Sequence, residues 1–352
     1  VIPEIIINKK PKKTKIPVYF EKSIEIPREK AAPFYQIINF KINDIGGKKK
    51  ELLVGNYYLI DLDSFSSHFH FLNDQIGEYL VIKEYIKDLV PIVFSKMSFA
   101  NEANISDHNK TSKYIYDSFL KVGIGADNIY NLNDFESINI ENLFATQKFF
   151  NQYLTNEMIP IIGGTNPKYS VPAIKKYFFS TKKSNNKKLF ISRVVENNHA
   201  RDIRKKLEEK RDTNHKAFLK FKAKLGEDLK IKIFDRYITL EDELFLERFF
   251  KDNGYEIINP GEYSLQEQID MFAEASHVAG LSGAGFINTM FCYPGTKIII
   301  LNTSTAYSFP HHKWPRAAGC KVFNVPETIK LLNCEFGAKE IITDLQNRKI
   351  II

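Results

Sequence analysis

Ser282-Gly-Ala-Gly285 is the part of this chain best suited to hold an anionic group. It follows the apolar residues 277–281, HVAGL, and opens a helical stretch. Tyr293-Pro294-Gly295-Thr296 then breaks the chain before the strand Lys297–Leu301. Strand, glycine turn, helix, turn and strand make a βαβ unit, with its turn at the carboxyl end of a buried strand. Helix amides without intrahelical partners point out of such a turn, beside the positive end of the helix dipole. Gly283 and Gly285 carry no Cβ, so a ligand can approach the backbone closely. That arrangement suits an anion, most often a phosphate. Taken alone, the turn is equally compatible with tight packing.

The spacing narrows the choice. Glycines at 280, 283 and 285 do not make the dinucleotide pattern G-x-G-x-x-G, and no Gly-Lys-Ser/Thr phosphate loop of a nucleotide hydrolase occurs. Asp61-Leu-Asp63 has the outline of a D-x-D metal motif but stands beside a strand, and no convincing metal-ligand cluster accompanies it. No metal is expected.

The elements around these residues alternate. Short extended segments fill residues 1–60, punctuated by Pro17, Pro27, Pro33 and Gly46-Gly47. Residues 71–89 have helical spacing, Pro91 stops that helix, and a strand follows. A helix over 112–122, a strand at 129–132 and a helix over 141–151 continue the series. Residues 159–180, rich in proline and glycine, read as an interdomain crossing. A second series begins with the strand 188–192 and continues through a helix over 242–253, a strand at 255–259 and a helix from Ser264. Ser264 and Glu267 form a capping box there, and Gly254 stops the helix before it. The class is α/β. With 352 residues, two domains are the default. They are placed at 1–175 and 176–330, with a tail, 331–352, packing back on the N-terminal domain.

Composition sets outer bounds. An apolar share of 43% fits a globular protein, and no run approaches the eighteen or more residues of a membrane span. The first residues lack a signal-peptide layout. Cys292, Cys320 and Cys334 show no pairing logic and fit buried thiols in a reducing compartment. The expected location is the cytoplasm, with a peripheral position at the inner face of the membrane as an alternative. The net charge of +8 implies an anionic partner. Residues 201–224 are strongly basic but carry many carboxylates and no nucleic-acid reading module, so no nucleic-acid partner is expected. They read as a solvated helical excursion or as a contact for an anionic membrane.

Residues 264–301 resemble the C-terminal signature of glycosyltransferase family 61. The matching positions are Ser264, Gln268, Ala275, Gly280, Gly283, Ala284, Gly285, Asn288, Phe291, Pro294, Gly295 and Thr296. Residues 188–193, KLFISR, look like that family's strand ending in Ser-Arg. In the N-terminal half, residues 66–85 resemble its His-Phe/Trp-Leu-x-Asp/Glu helix, with His70 and Asp74 in the motif positions. Residues 119–132 are similar to a weaker family segment. Two departures stand out: Ser282 replaces the usual histidine, and Ile300 stands where an acid often ends the next strand. Asn302 is a candidate to replace that acid.

The resemblance implies a GT-B architecture, two Rossmann-like domains facing a central cleft, an acceptor-side domain at 1–175 and a nucleotide-sugar domain at 176–330. It implies inverting transfer of a sugar from a nucleotide donor, UDP by resemblance, to a glycan or glycolipid acceptor. A polysaccharide or lipopolysaccharide acceptor is expected. Such transfer must stabilise the leaving phosphate, take the acceptor's proton and hold the reactants in line. The donor side falls to Arg193, Ser282, Gly283, Ala284, Gly285, Asn288, Gln268 and His311. The base is His70 or Asp74, four apart on one helical face, with Asp63 a further candidate. No cofactor is expected. The rival is a non-catalytic sugar-nucleotide or polyanion-binding scaffold of the same fold, which Ser282 and Ile300 favour.

Overall fold

The computed structural model describes residues 4–8, 13–17, 19–20, 34–43, 47–60, 71–95, 113–131, 134–146, 166–178, 186–194, 240–302, 312–325 and 337–350. The basic stretch 201–224 lies outside them. The chain divides into two compact units, Val1–Thr181 with Ser264–Ile269, and Lys182–Tyr263 with Asp270–Ile352.

In the first unit, β1 (Glu4–Asn8) and β2 (Lys13–Pro17) pair antiparallel. A six-stranded sheet follows from β3 (Tyr19–Phe20), β4 (Phe34–Asn43), β5 (Lys49–Ile60), β6 (Leu89–Ser95), β7 (Ile129–Asn131) and β8 (Phe135–Thr146). Its order is β3-β4-β8-β5-β6-β7. The β8-β5, β5-β6 and β6-β7 pairs are parallel, and β3-β4 and β4-β8 are antiparallel. β8 corrects the helix expected over 141–151 as far as Thr146, residues 147–151 lying outside the described ones. Ile138, Ile140, Leu143 and Phe144 along it are buried, and β4 and β5 pair with it on either side. Sheet pairing on both edges outweighs local helical spacing.

The helix expected over 71–89 is shorter and begins differently. Phe71–Gly77 is wound as a π-helix, α1 (Glu78–Lys83) continues it, and the chain turns at Asp88, whose φ is 56°. Gly77 lets a neighbouring helix approach: a Cβ there would stand 2.9 Å from the Cβ of Ser170. That neighbour lies in the expected interdomain crossing, which contains a helix. After α2 (Lys113–Lys121), α3 (Pro167–Phe178) buries Ser170, Val171, Ile174 and Phe178. Ser170 Oγ donates to Asn73 Oδ1 at 3.0 Å, tying α3 to the π-helix.

The second unit is built on an all-parallel sheet of β9 (Lys187–Ile191), β10 (Glu256–Ile258), β11 (Ala275–Leu281), β12 (Lys297–Leu301) and β13 (Lys321–Val325). The order β10-β9-β11-β12-β13 is 2-1-3-4-5 in chain order, one of the two common doubly wound arrangements. Apolar runs such as KIIIL in β12, buried at its last four positions, suit strands covered on both faces. One face packs on α4 (Leu240–Asp252) and on a helix near the carboxyl end, whose Ala338, Ile341, Ile342 and Leu345 join Phe190, Leu246, Phe250, Ile299 and Leu301 in one core. Phe190 stacks on Phe250 at 4.6 Å, and such a pair adds about 0.5–1.5 kcal/mol beyond its burial.

Local signals mark the ends of these elements. Gly254, at φ 80°, stops α4 while its amide and that of Tyr255 return to the carbonyls of Lys251 and Phe250. Ser264 and Glu267 cap α5 (Leu265–Ala273) reciprocally, at 2.7 Å and 3.3 Å. After α6 (Lys313–Ala317) comes α7 (Ala338–Asn347), the helix of the carboxyl-terminal core just described. α7 lies in the core of the second unit, its first amide donating to Asp242 Oδ1 at 3.2 Å. Among the described residues, no helix is long and apolar enough to cross a membrane.

Candidate functional site

In a 2-1-3-4-5 sheet the chain leaves its first strand to one side and returns to the other, and the crevice at the carboxyl ends of the first and third strands accepts ligands. Here those strands are β9 and β11. Ser192 and Arg193 follow β9, and Ser282-Gly283 follow β11. Arg193 and the glycine turn, 89 positions apart in sequence, therefore meet at the switch point. Arg193 Nη1 donates to the Ser282 carbonyl oxygen at 3.0 Å.

Three glycines make this close meeting possible. A Cβ on Gly280 would stand 2.9 Å from the Ile191 carbonyl oxygen, so the missing side chain lets β11 lie tight on β9. A Cβ on Gly283 would stand 2.8 Å from Arg193 Nη1. One on Gly285 would stand 3.2 Å from Ile191 Cγ2. Gly283 itself is extended, at φ 179°, and the turn opens a 3-10 helix, Ala284–Phe291, rather than the expected α-helix. Its first i→i+3 bond runs from the Phe286 amide to the Gly283 carbonyl at 3.1 Å. The Ala284 and Gly285 amides precede that bond and have no partner inside the helix.

α4 steadies the other side of the site. Glu243, fully buried, accepts from the Arg193 amide at 3.1 Å. Glu247, one turn on, accepts from Ser192 Oγ at 2.5 Å, and that hydroxyl accepts from the Val194 amide at 3.2 Å. The sequence reading missed both glutamates. Their signal was the i,i+4 spacing on the face that also carries Leu246 and Phe250, which leaves Glu243 buried and Glu247 half-buried.

Asn288, on the 3-10 helix, and Gln268, on α5, are both buried. Ile300 is buried in β12, whereas Asn302 sits just past its carboxyl end, its amide donating to the Val325 carbonyl at 2.7 Å. Asp74 lies on the π-helix, and only its backbone is described. His70, Asp63 and His311 lie outside the described residues. His312 immediately precedes α6, half-buried, with its pKa lowered by burial first and then by Arg316 and Lys313. Among the described residues, no group of three or more His, Cys, Asp or Glu is placed to hold a metal ion.

The arrangement offers an anion a guanidinium, with its planar set of donors, beside backbone amides at the opening of a helix. A family model described as Glycosyltransferase 61 matches residues 68–299, well over half of the chain. The chain belongs to glycosyltransferase family 61. Membership implies glycosyl transfer, with a sugar donor and an acceptor as partners. The family 61 match takes in His70, Asp74, Arg193 and the whole glycine turn, and ends before His311. No curated protein matches the chain.

Proposed function

We propose that this glycosyltransferase inverts configuration while moving a sugar from a UDP-linked donor to a glycan acceptor, without a metal ion. The acceptor belongs to polysaccharide or lipopolysaccharide assembly, and the reaction takes place on the cytoplasmic side. The two units serve as the two domains of a GT-B enzyme. The observation that carries the reading is the Arg193–Ser282 contact at the carboxyl ends of β9 and β11, which sets a cation beside the amides of a glycine turn.

In this reading the donor diphosphate lies against the Ala284 and Gly285 amides and the Arg193 guanidinium. The acceptor oxygen forms a bond to the anomeric carbon as the bond from that carbon to the phosphate oxygen breaks. The electron pair leaves on the diphosphate, where the guanidinium and amides stabilise it. The acceptor's proton passes to a base, with His70, Asp74 and Asp63 the candidates. Arg193 makes a strong charge-assisted contact with phosphate oxygens, so its positive charge meets the charge that develops.

The test is nucleotide release from a panel of nucleotide sugars, with and without EDTA. Release from a UDP-sugar that persists in EDTA supports the proposal, and strict metal dependence counts against it. UDP binding without turnover would instead favour the scaffold reading, which Ile300, apolar and buried in the acid's place, also favours.

A further inference from the structure

We propose that the amino-terminal edge of the parallel sheet in the second unit is a separate site for a phosphate-class dianion, formed by Lys188, His277, Lys297 and Lys321. This edge is opposite the carboxyl ends that carry Arg193 and Ser282, and the inference does not rest on sugar transfer.

The register is the main observation. Lys188 pairs with His277, His277 with Lys297, and Lys297 with Lys321, across four neighbouring strands. All four side chains share one face. Each stands two residues before a position in or against the apolar core, respectively Phe190, Ala279, Ile299 and Phe323. Neighbouring strands are about 4.8 Å apart, and like charges directly opposite destabilise a sheet. Tyr255 borders the same row: Lys188 Nζ lies 5.6 Å from its ring centroid, and its ring meets that of His277 edge-on at 6.3 Å.

A bulge in β11 aims the histidine. Ala275 pairs with Lys187 and His277 with Lys188, so Ser276 is the extra residue. Its hydroxyl donates to the Lys187 carbonyl at 3.0 Å and therefore accepts from His277 Nδ1, also at 3.0 Å. The neutral ring then keeps its proton on Nδ1, and protonation adds a donor at Nε2. Burial is the largest cause of the lowered His277 pKa, followed by Lys297 and Lys188. On the other face Lys187 meets Glu274 at 2.8 Å and is also influenced by Glu256, while in the row Lys188 Nζ donates to the Asn253 carbonyl at 3.5 Å.

A dianion seated on the row offsets this repulsion and draws a proton onto His277, which completes a set of cationic donors on adjacent strands. Phosphate chemistry reaches such a site from two sources, a soluble phosphate-bearing molecule or a phospholipid headgroup.

The test follows the His277 ring by NMR in the full chain, with His277→Asn used only to assign its signal. The ring is titrated in chloride and then in sulfate at equal ionic strength, sulfate remaining dianionic throughout. In chloride His277 is expected to titrate below the ordinary value of about 6.5, and in sulfate its midpoint rises. Lys297→Gln raises the chloride value and removes most of the sulfate response. An identical wild-type midpoint in both salts overturns the proposal, and this comparison needs no variant. Sedimentation with phosphatidylglycerol vesicles, against phosphatidylcholine, separates the sources. Binding lost in Lys297→Gln/Lys321→Gln assigns the site to lipid, and a sulfate response without sedimentation assigns it to a soluble phosphate. Sedimentation that survives the double substitution counts against the row.

Discussion

The guanidinium of Arg193 occupies the space that a side chain at Gly283 would need. A Cβ on Gly283 would stand 2.8 Å from Nη1 and 3.1 Å from Cζ. Because Gly283 is extended, at φ 179°, alanine meets no backbone strain there. Gly283→Ala is therefore expected to leave the thermal midpoint nearly unchanged while displacing Arg193. Loss of one such donor lowers kcat by about 10²–10³-fold. Steady-state turnover beside thermal unfolding checks this, and a variant of full activity would sink the role given to Arg193.

Glu243 tests the support behind that arginine. Its buried carboxylate accepts from the Arg193 amide. Glu243→Ala leaves that amide without its acceptor, at a cost of about 1–3 kcal/mol. In Glu243→Gln the side-chain carbonyl can still accept, so most of the stability should remain. Denaturant titration of both variants reads the difference, and equal losses would contradict the hydrogen-bond account.

Gly280→Ala strikes the same edge through the backbone. Its Cβ would stand 2.9 Å from the Ile191 carbonyl oxygen, which belongs to a paired strand and cannot swing aside like the end of a side chain. Overpacking of this kind costs about 1–3 kcal/mol. Unfolding should shift accordingly, and more than in Gly283→Ala.

His312 gives the stability a pH dependence. Burial, then Arg316 and Lys313, lower its pKa in the folded chain. Between the folded and unfolded values the unfolded chain binds more protons, so stability is full above about 6.5 and falls as pH drops through the folded value. Denaturant midpoints at about pH 7.5 and about pH 5.5 should show the drop, and His312→Asn should reduce it.

The second unit was more legible in the sequence than the first. Parallel strands buried on both faces, such as β12, leave continuous apolar runs, and punctuation by Gly254, Ser264 and Pro294-Gly295 fixes their limits. β8 was misread because its spacing also fits a helix, and only the strands paired on both sides decide between them. The glycine turn and Arg193 stood out by residue type and spacing. Glu243 and Glu247 did not, because an acid that supports a strand looks like any solvated acid of a charged helix until that strand is in place. The row from Lys188 to Lys321 was invisible for a related reason: it exists only across strands.

The contact between Arg193 and Ser282 also bears on how the protein is made. It joins positions 89 apart, so no local fragment contains it, and it cannot form until β11 has docked beside β9. Contacts that close so long a stretch of chain are slow to form. A nascent chain that ends before Ser282 therefore lacks the Arg193–Ser282 contact, however much of β9 and α4 has already folded. On the proposed function, donor affinity is therefore gained late in folding, and the gain of nucleotide protection during refolding would time the docking of β11 on β9.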